Sequence, residues 1–251
     1  MKQIQSRFRG ACLACAVGIL RAQAGPTLLT EDPGTPGSGR WEINVGLQHE
    51  QRPGERLSAA PILDFNYGLG SRVQLKYEVA WLWSRPADAP RHNGVSNSLA
   101  GVKWRFGEGE EATWAVSVFP QLEFRPSGSR STRSGLVPDE NTLLFPVQWR
   151  QAVMGVDLLV EVGRALPSKS SAGWYGGIAL LRTLPNGVEL ACELNAQADH
   201  RLHRSDLVAN LAALVPLGER VGLLLTFGRE LHHHAAPRAT VLAYVGLQLS
   251  L

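Results

Sequence analysis

The stretch Val73-Gln74-Leu75-Lys76-Tyr77-Glu78-Val79-Ala80-Trp81-Leu82-Trp83 decides the fold. Its large apolar side chains recur at alternate positions and oppose Gln74, Lys76 and Glu78, the period of a β-strand with one apolar and one polar face. Working outward, the same alternation returns over 41–48, 114–124, 156–162, 188–195 and 241–251. In all, twelve segments read as strands: 41–51, 61–69, 72–84, 98–107, 112–125, 142–150, 154–164, 173–184, 187–198, 206–215, 220–231 and 239–251. Most run about 9–13 residues, long for a sandwich and right for a tilted strand crossing a bilayer.

The connections sharpen this reading. Those at 70–71, 107–111, 151–153, 185–187 and 216–219 are tight, whereas those at 52–60, 85–97, 126–141, 165–172, 199–205 and 232–238 are longer. Short periplasmic turns alternating with longer extracellular loops belong to outer-membrane barrels. All seven tryptophans fall near strand ends: Trp41, Trp104, Trp114 and Trp149 by the short turns, Trp81, Trp83 and Trp174 by the long loops. That arrangement predicts two aromatic girdles, where an indole buries its ring and keeps its N–H wet.

If the apolar face meets lipid, the polar face lines the lumen. That face carries Glu42, Glu50, Asp64, Lys76, Glu78, Lys103, Arg105, Glu123, Arg150, Asp157, Glu161, Glu189, Glu193 and Glu230, ten acids against four bases. Such groups can face inward only if wet or paired. The sequence therefore predicts an all-β protein: a twelve-stranded antiparallel transmembrane β-barrel over 41–251, following a cleaved signal peptide.

Composition agrees. The chain has 251 residues with 26 Gly and 15 Pro, too many breakers for a helical bundle. The longest apolar run, 11–20, is too short for a transmembrane helix. Lys2, Arg7 and Arg9 precede that run and Ala22-Gln23-Ala24 follows it, the order of a secretory signal peptide over 1–24. Export through the Sec pathway to the outer membrane of a Gram-negative cell is the expectation. Removing 1–24 takes away four of the 25 basic residues and none of the 22 acids, so no basic excess remains for nucleic acid. It also leaves Cys192 as the sole cysteine, and no intramolecular disulfide can form.

Just inside the mature N-terminus stands Leu29-Thr30-Glu31-Asp32-Pro33-Gly34-Thr35-Pro36-Gly37-Ser38-Gly39-Arg40-Trp41-Glu42-Ile43-Asn44, and Ala60-Pro61-Ile62-Leu63-Asp64-Phe65-Asn66-Tyr67-Gly68-Leu69-Gly70-Ser71-Arg72-Val73-Gln74-Leu75-Lys76 follows. These segments resemble the bacterial outer-membrane family labelled as transporters of the phenol meta-degradation pathway. The likeness is good over about 29–84 and architectural elsewhere; Glu31 and Ser71 each stand where that family usually has Asp. It implies a channel or carrier for small organic molecules, aromatic ones included, and supplies no catalytic residues.

Asp32, Pro33, Gly34, Pro36 and Gly37 lie in a segment, 25–40, that can form neither helix nor central strand. Two readings stand: a strap or plug folded into the periplasmic mouth, or a flexible leader. Arg125, Arg130 and Arg133 mark the longest external loop, which could meet lipopolysaccharide phosphates, fold inward or stay solvated.

Other chemistry is thinly signalled. His232-His233-His234, with His200 and His203, is the one metal-like group, but neighbouring histidines on an extended chain point to opposite faces, so no metal is expected. His203 and Ser205 are the only enzyme candidates, as in a barrel lipid hydrolase. Cys192 alternates with Leu190 and Leu194 and reads as a lipid-facing hydrophobe. No nucleotide or redox motif occurs, and no cofactor is expected. The expected partners are outer-membrane lipid and lipopolysaccharide, a small-molecule solute and the barrel-assembly machinery. The working reading is a passive channel, against two alternatives: a barrel enzyme and a plugged structural or adhesive barrel.

Overall fold

The computed structural model describes residues 28–125, 130–234 and 238–251, without the side chains of Arg130 and Arg133. The signal segment 1–24 lies outside them. The strands are β1 (Trp41–Arg52), β2 (Glu55–Leu69), β3 (Val73–Pro86), β4 (His92–Val95), β5 (Ser98–Glu108), β6 (Trp114–Val118), β7 (Gln121–Phe124), β8 (Thr142–Val153), β9 (Val156–Pro167), β10 (Gly173–Thr183), β11 (Glu189–Asp199), β12 (Ser205–Pro216), β13 (Val221–His232) and β14 (Val241–Ser250). All pair antiparallel, and β14 returns to β1 with Glu42 opposite Ser250 and Gln51 opposite Val241, closing the sheet. Reciprocal hydrogen bonds of 2.9 Å between Trp41 and Leu251 seal the seam at the last residue.

Fourteen strands fill twelve wall positions. Both β4 and β5 lie along β3, and β6 and β7 share the place between β5 and β8. Pro120 explains the second break: it has no N–H to give to a ladder. The Phe119 beside it is fully buried. The first break falls at Ser96, whose backbone N–H and hydroxyl both bond the backbone of Ala80.

The wall sorts side chains by solvent. Val45, Leu75, Val102, Val147, Ile178, Leu211 and Val245 are exposed outward, while Asn44, Asp64, Gln74, Lys103, Gln148, Glu193 and Asn210 are buried inward. Trp41, Trp104 and Trp114 are exposed at the rim of the short turns, and Trp81, Trp83 and Trp174 toward the other rim. A closed barrel with an apolar exterior between aromatic girdles is the form of a bacterial outer-membrane protein. The rim holding the short turns and the chain end is its periplasmic side.

The outer loops differ from the sequence reading. Residues 52–60 are not a long loop: Pro53 and Gly54 alone turn β1 into β2, and β4 occupies part of the supposed loop 85–97. The cause is an inversion of pattern above the membrane. Leu57, Ala59 and Leu82 are buried inward there, whereas Arg56 is exposed outward, so alternation sought with apolar residues outside misses the extension. Only the 125–141 connection is truly long, and it carries the four-residue helical turn Arg130–Arg133.

Candidate functional site

Residues 28–37 lie against the inner wall at the end of the barrel that holds the short turns, with 38–40 exposed at its rim. At the rim, Gly39 donates to the Gly68 carbonyl and Gly68 donates to the Arg40 carbonyl, both at 2.9 Å, so the segment briefly extends the sheet. A Cβ on Gly68 would fall 1.7 Å from the Gly37 carbonyl oxygen, so glycine is needed for this approach. Thr35 Oγ1 donates to Ser71 O at 3.2 Å. Deeper in, Leu28, Leu29, Thr30, Glu31, Asp32 and Pro33 run with their side chains mostly buried.

Two carboxylates of the wall receive the segment's backbone. Glu193 accepts from the N–H groups of Leu29 (2.8 Å) and Thr30 (2.9 Å) and from Asn210 Nδ2 at 2.7 Å. Glu161 accepts from Glu31 N at 3.3 Å and from Gln148 Nε2 at 3.0 Å. Such hydrogen bonds are each worth about 0.5–1.5 kcal/mol. Leu28 packs with Leu159, Ala179 and Ala212, and Leu29 with Val208, Ala239 and Leu242. Burying such a leucine contributes about 1.5–3 kcal/mol.

The segment's own carboxylates find the wall's cations. Glu31 lies 2.9 Å from Lys103 Nζ and 3.7 Å from Lys76 Nζ. Lys76 also faces Asp64 at 3.3 Å and Glu78 at 3.4 Å, and Lys103 donates to the Asp32 carbonyl at 2.7 Å while lying over the Phe119 ring. Arg150 sits 3.7 Å from Asp32. Asp64 is held in turn by Asn44 and Asn66, each at 3.0 Å, and Glu42 accepts from Asn44 at 3.2 Å.

The register puts the fourteen wall residues singled out from sequence on one face of the sheet, but brings only some together. Glu42, Asp64, Lys76, Glu78, Lys103, Arg150, Glu161 and Glu193 gather around residues 28–32. Glu123 stands apart toward the outer side, bonded to Asn97 at 2.9 Å. Arg105, at the periplasmic rim, pairs with Glu108 at 3.3 Å. Asp157 and Glu189 are half-buried near the same rim.

Sequence reasoning missed three parts. Glu31 was absent from the candidates, although an acid flanked by Leu29, Thr30 and Pro33 in an otherwise turn-forming stretch signals a buried anchor. Arg52, at the start of the stretch whose pattern reads as loop, bonds Glu230 at 2.7 and 2.9 Å and pairs with Glu50. Leu136 and Val137 of the long loop were not singled out, and they pack inside the outer end against Leu57, Ile62, Leu82 and Tyr244. The lumen is thus entered from both ends. A cavity of about 230 Å³ adjoins the strap, bounded by Glu31, Asp32, Glu42, Gln74, Lys76 and Lys103, and another of about 430 Å³ lies at the outer end beside Tyr175, Asp199 and Asp206.

The His203 backbone N–H caps Asp199 at 2.9 Å, and among the described residues no hydrogen bond joins the His203 and Ser205 side chains.

The sequence matches no protein-family model and no curated protein. Solved structures resemble it in fold. An outer-membrane channel from Pseudomonas putida F1 superposes with a TM-score of 0.73 at 11% identity, over 88% of this chain and 98% of that one. The translocator domain of the autotransporter NalP from Neisseria meningitidis gives 0.60 at 12%, over 98% and 95%. The KdgM porin, also solved with disordered oligogalacturonate, gives 0.58 at 13%, over 83% and 99%. At such identities the likeness concerns the fold: a closed outer-membrane barrel.

Proposed function

We propose that the protein is a passive channel or carrier for small organic molecules, narrowed by the 28–40 strap from the periplasm and by Leu136 and Val137 of the long loop from outside. The observation that carries this reading is how the lumen is filled. The strap is held largely by carboxylates, backbone N–H groups and two lysines on an inner wall rich in charge. A barrel serving only as a scaffold is more stable with an apolar core than with many buried charges. A charged wall makes sense where water and solute replace the strap. That channels and porins share the fold is consistent with this reading.

The charge balance selects the solute class. The wall's ten carboxylates, with Glu31 and Asp32, face Arg52, Lys76, Lys103, Arg105 and Arg150. Such a lumen disfavours polyanions, so the solute class proposed here differs from the oligogalacturonate of the KdgM complex. Small uncharged or cationic molecules fit, and aromatic ones accord with the family resemblance. The test is the reversal potential of the refolded protein in a planar bilayer under a salt gradient. Cation preference is expected; anion preference would overturn the proposed selectivity.

A further inference from the structure

A second group of donors lies at the outer rim, away from the strap. The bulge where Leu207 opposes His232 and Val208 opposes Glu230 ends regular pairing between β12 and β13. Past His232 the chain leaves extended geometry, and His233 and His234 turn to the same side, their ring centroids 5.2 Å apart. This removes the objection that neighbouring histidines on a strand diverge.

Both Nδ1 atoms come within 2.8 Å of Asp206 Oδ1, and one ligand atom from each of the three residues falls within 4.8 Å of the others. The His233 side chain is 4% exposed, and its Nδ1, though close to the carboxylate, makes no hydrogen bond. A buried polar atom without a hydrogen-bond partner is costly, and a bound metal ion would satisfy it. Glu230 Oε1 lies 3.8 Å behind it but is engaged by Arg52, while Ala239 N donates to Glu230 Oε2. Asp206 and His234 also line the 430 Å³ cavity, which leaves room for a water or solute in a fourth position.

We propose that Asp206, His233 and His234 form a binding site for a divalent transition-metal ion at the outer rim, clasping the two residues that follow β13 to β12. Two imidazoles and one carboxylate suit Zn(II) or Cu(II), whereas Ca(II) and Mg(II) demand oxygen shells. Three protein ligands with one open position is the pattern of an exchangeable rather than a sealed site.

The test is calorimetric titration of the folded, untagged protein in detergent with ZnCl₂ near neutral pH. One Zn(II) per chain is expected. Asp206→Asn and His233→Gln should each weaken binding at least about tenfold, since even loss of an outer-sphere partner costs that much. His200→Ala/His203→Ala should leave it unchanged. Heat-modifiable migration checks that each variant keeps its barrel. Absence of saturable binding, binding that survives both ligand variants, or binding lost with His200 and His203 would overturn the proposal and leave histidine–carboxylate contacts only.

Discussion

Glu31 is the point at which strap and wall exchange charge. Replacing it with Gln leaves Lys103 with the Asp32 carbonyl and the Phe119 ring, while Lys76 keeps Asp64 and Glu78. Stripping a carboxylate from a buried pair costs roughly 3–5 kcal/mol, and the remaining partners place Glu31→Gln near the lower figure, about 3 kcal/mol. Denaturant unfolding in detergent micelles should show that loss, and bilayer recordings should show longer open periods. Unchanged stability together with unchanged gating would contradict the anchor. Gly68 shows what one residue can tell in advance. It sits at an inward position in line with Asp64 and Asn66, and a missing side chain there signals close backbone approach. What approaches could not be read, because the partner, Gly37, lies 31 positions away in a stretch without periodicity.

At the scale of elements, the membrane-crossing strands were legible because lipid enforces strict alternation on their outer face. The rim parts were not. Leu57, Ala59 and Leu82 turn inward to meet Leu136 and Val137, while Arg56 turns to water, which is the soluble-protein pattern on the same strand. One alternation rule applied to the whole strand ends it short of 52–60. The interrupted positions escaped for a different reason. Pro120 and Ser96 break ladders whose two halves still share neighbours, and a one-dimensional pattern cannot show that sharing. The inserted loop carries its own prediction. Leu136→Asp with Val137→Asp should expel the loop from the outer end, because a carboxylate against Leu57, Ile62 and Leu82 is unpaired. Conductance should rise while heat-modifiable migration persists. Unaltered conductance in a folded double variant would show that the loop does not narrow the path.

At the scale of the molecule, a closed wall and the contents of its lumen are separable. The ladders from β1 round to β14 depend on backbone pairing and on an apolar exterior, and the strap adds to them only through its short contact with Gly68. Removal of residues 28–37 should therefore leave a folded barrel and open its centre. The most direct measurement is single-channel conductance in a planar bilayer under a salt gradient, comparing the signal-free protein with the same chain lacking 28–37. Small or infrequent steps in the first, larger and steadier cation-selective steps in the second, are the predicted result. Identical conductance in the two, or a folded strapless barrel that passes no current, would contradict the strapped channel.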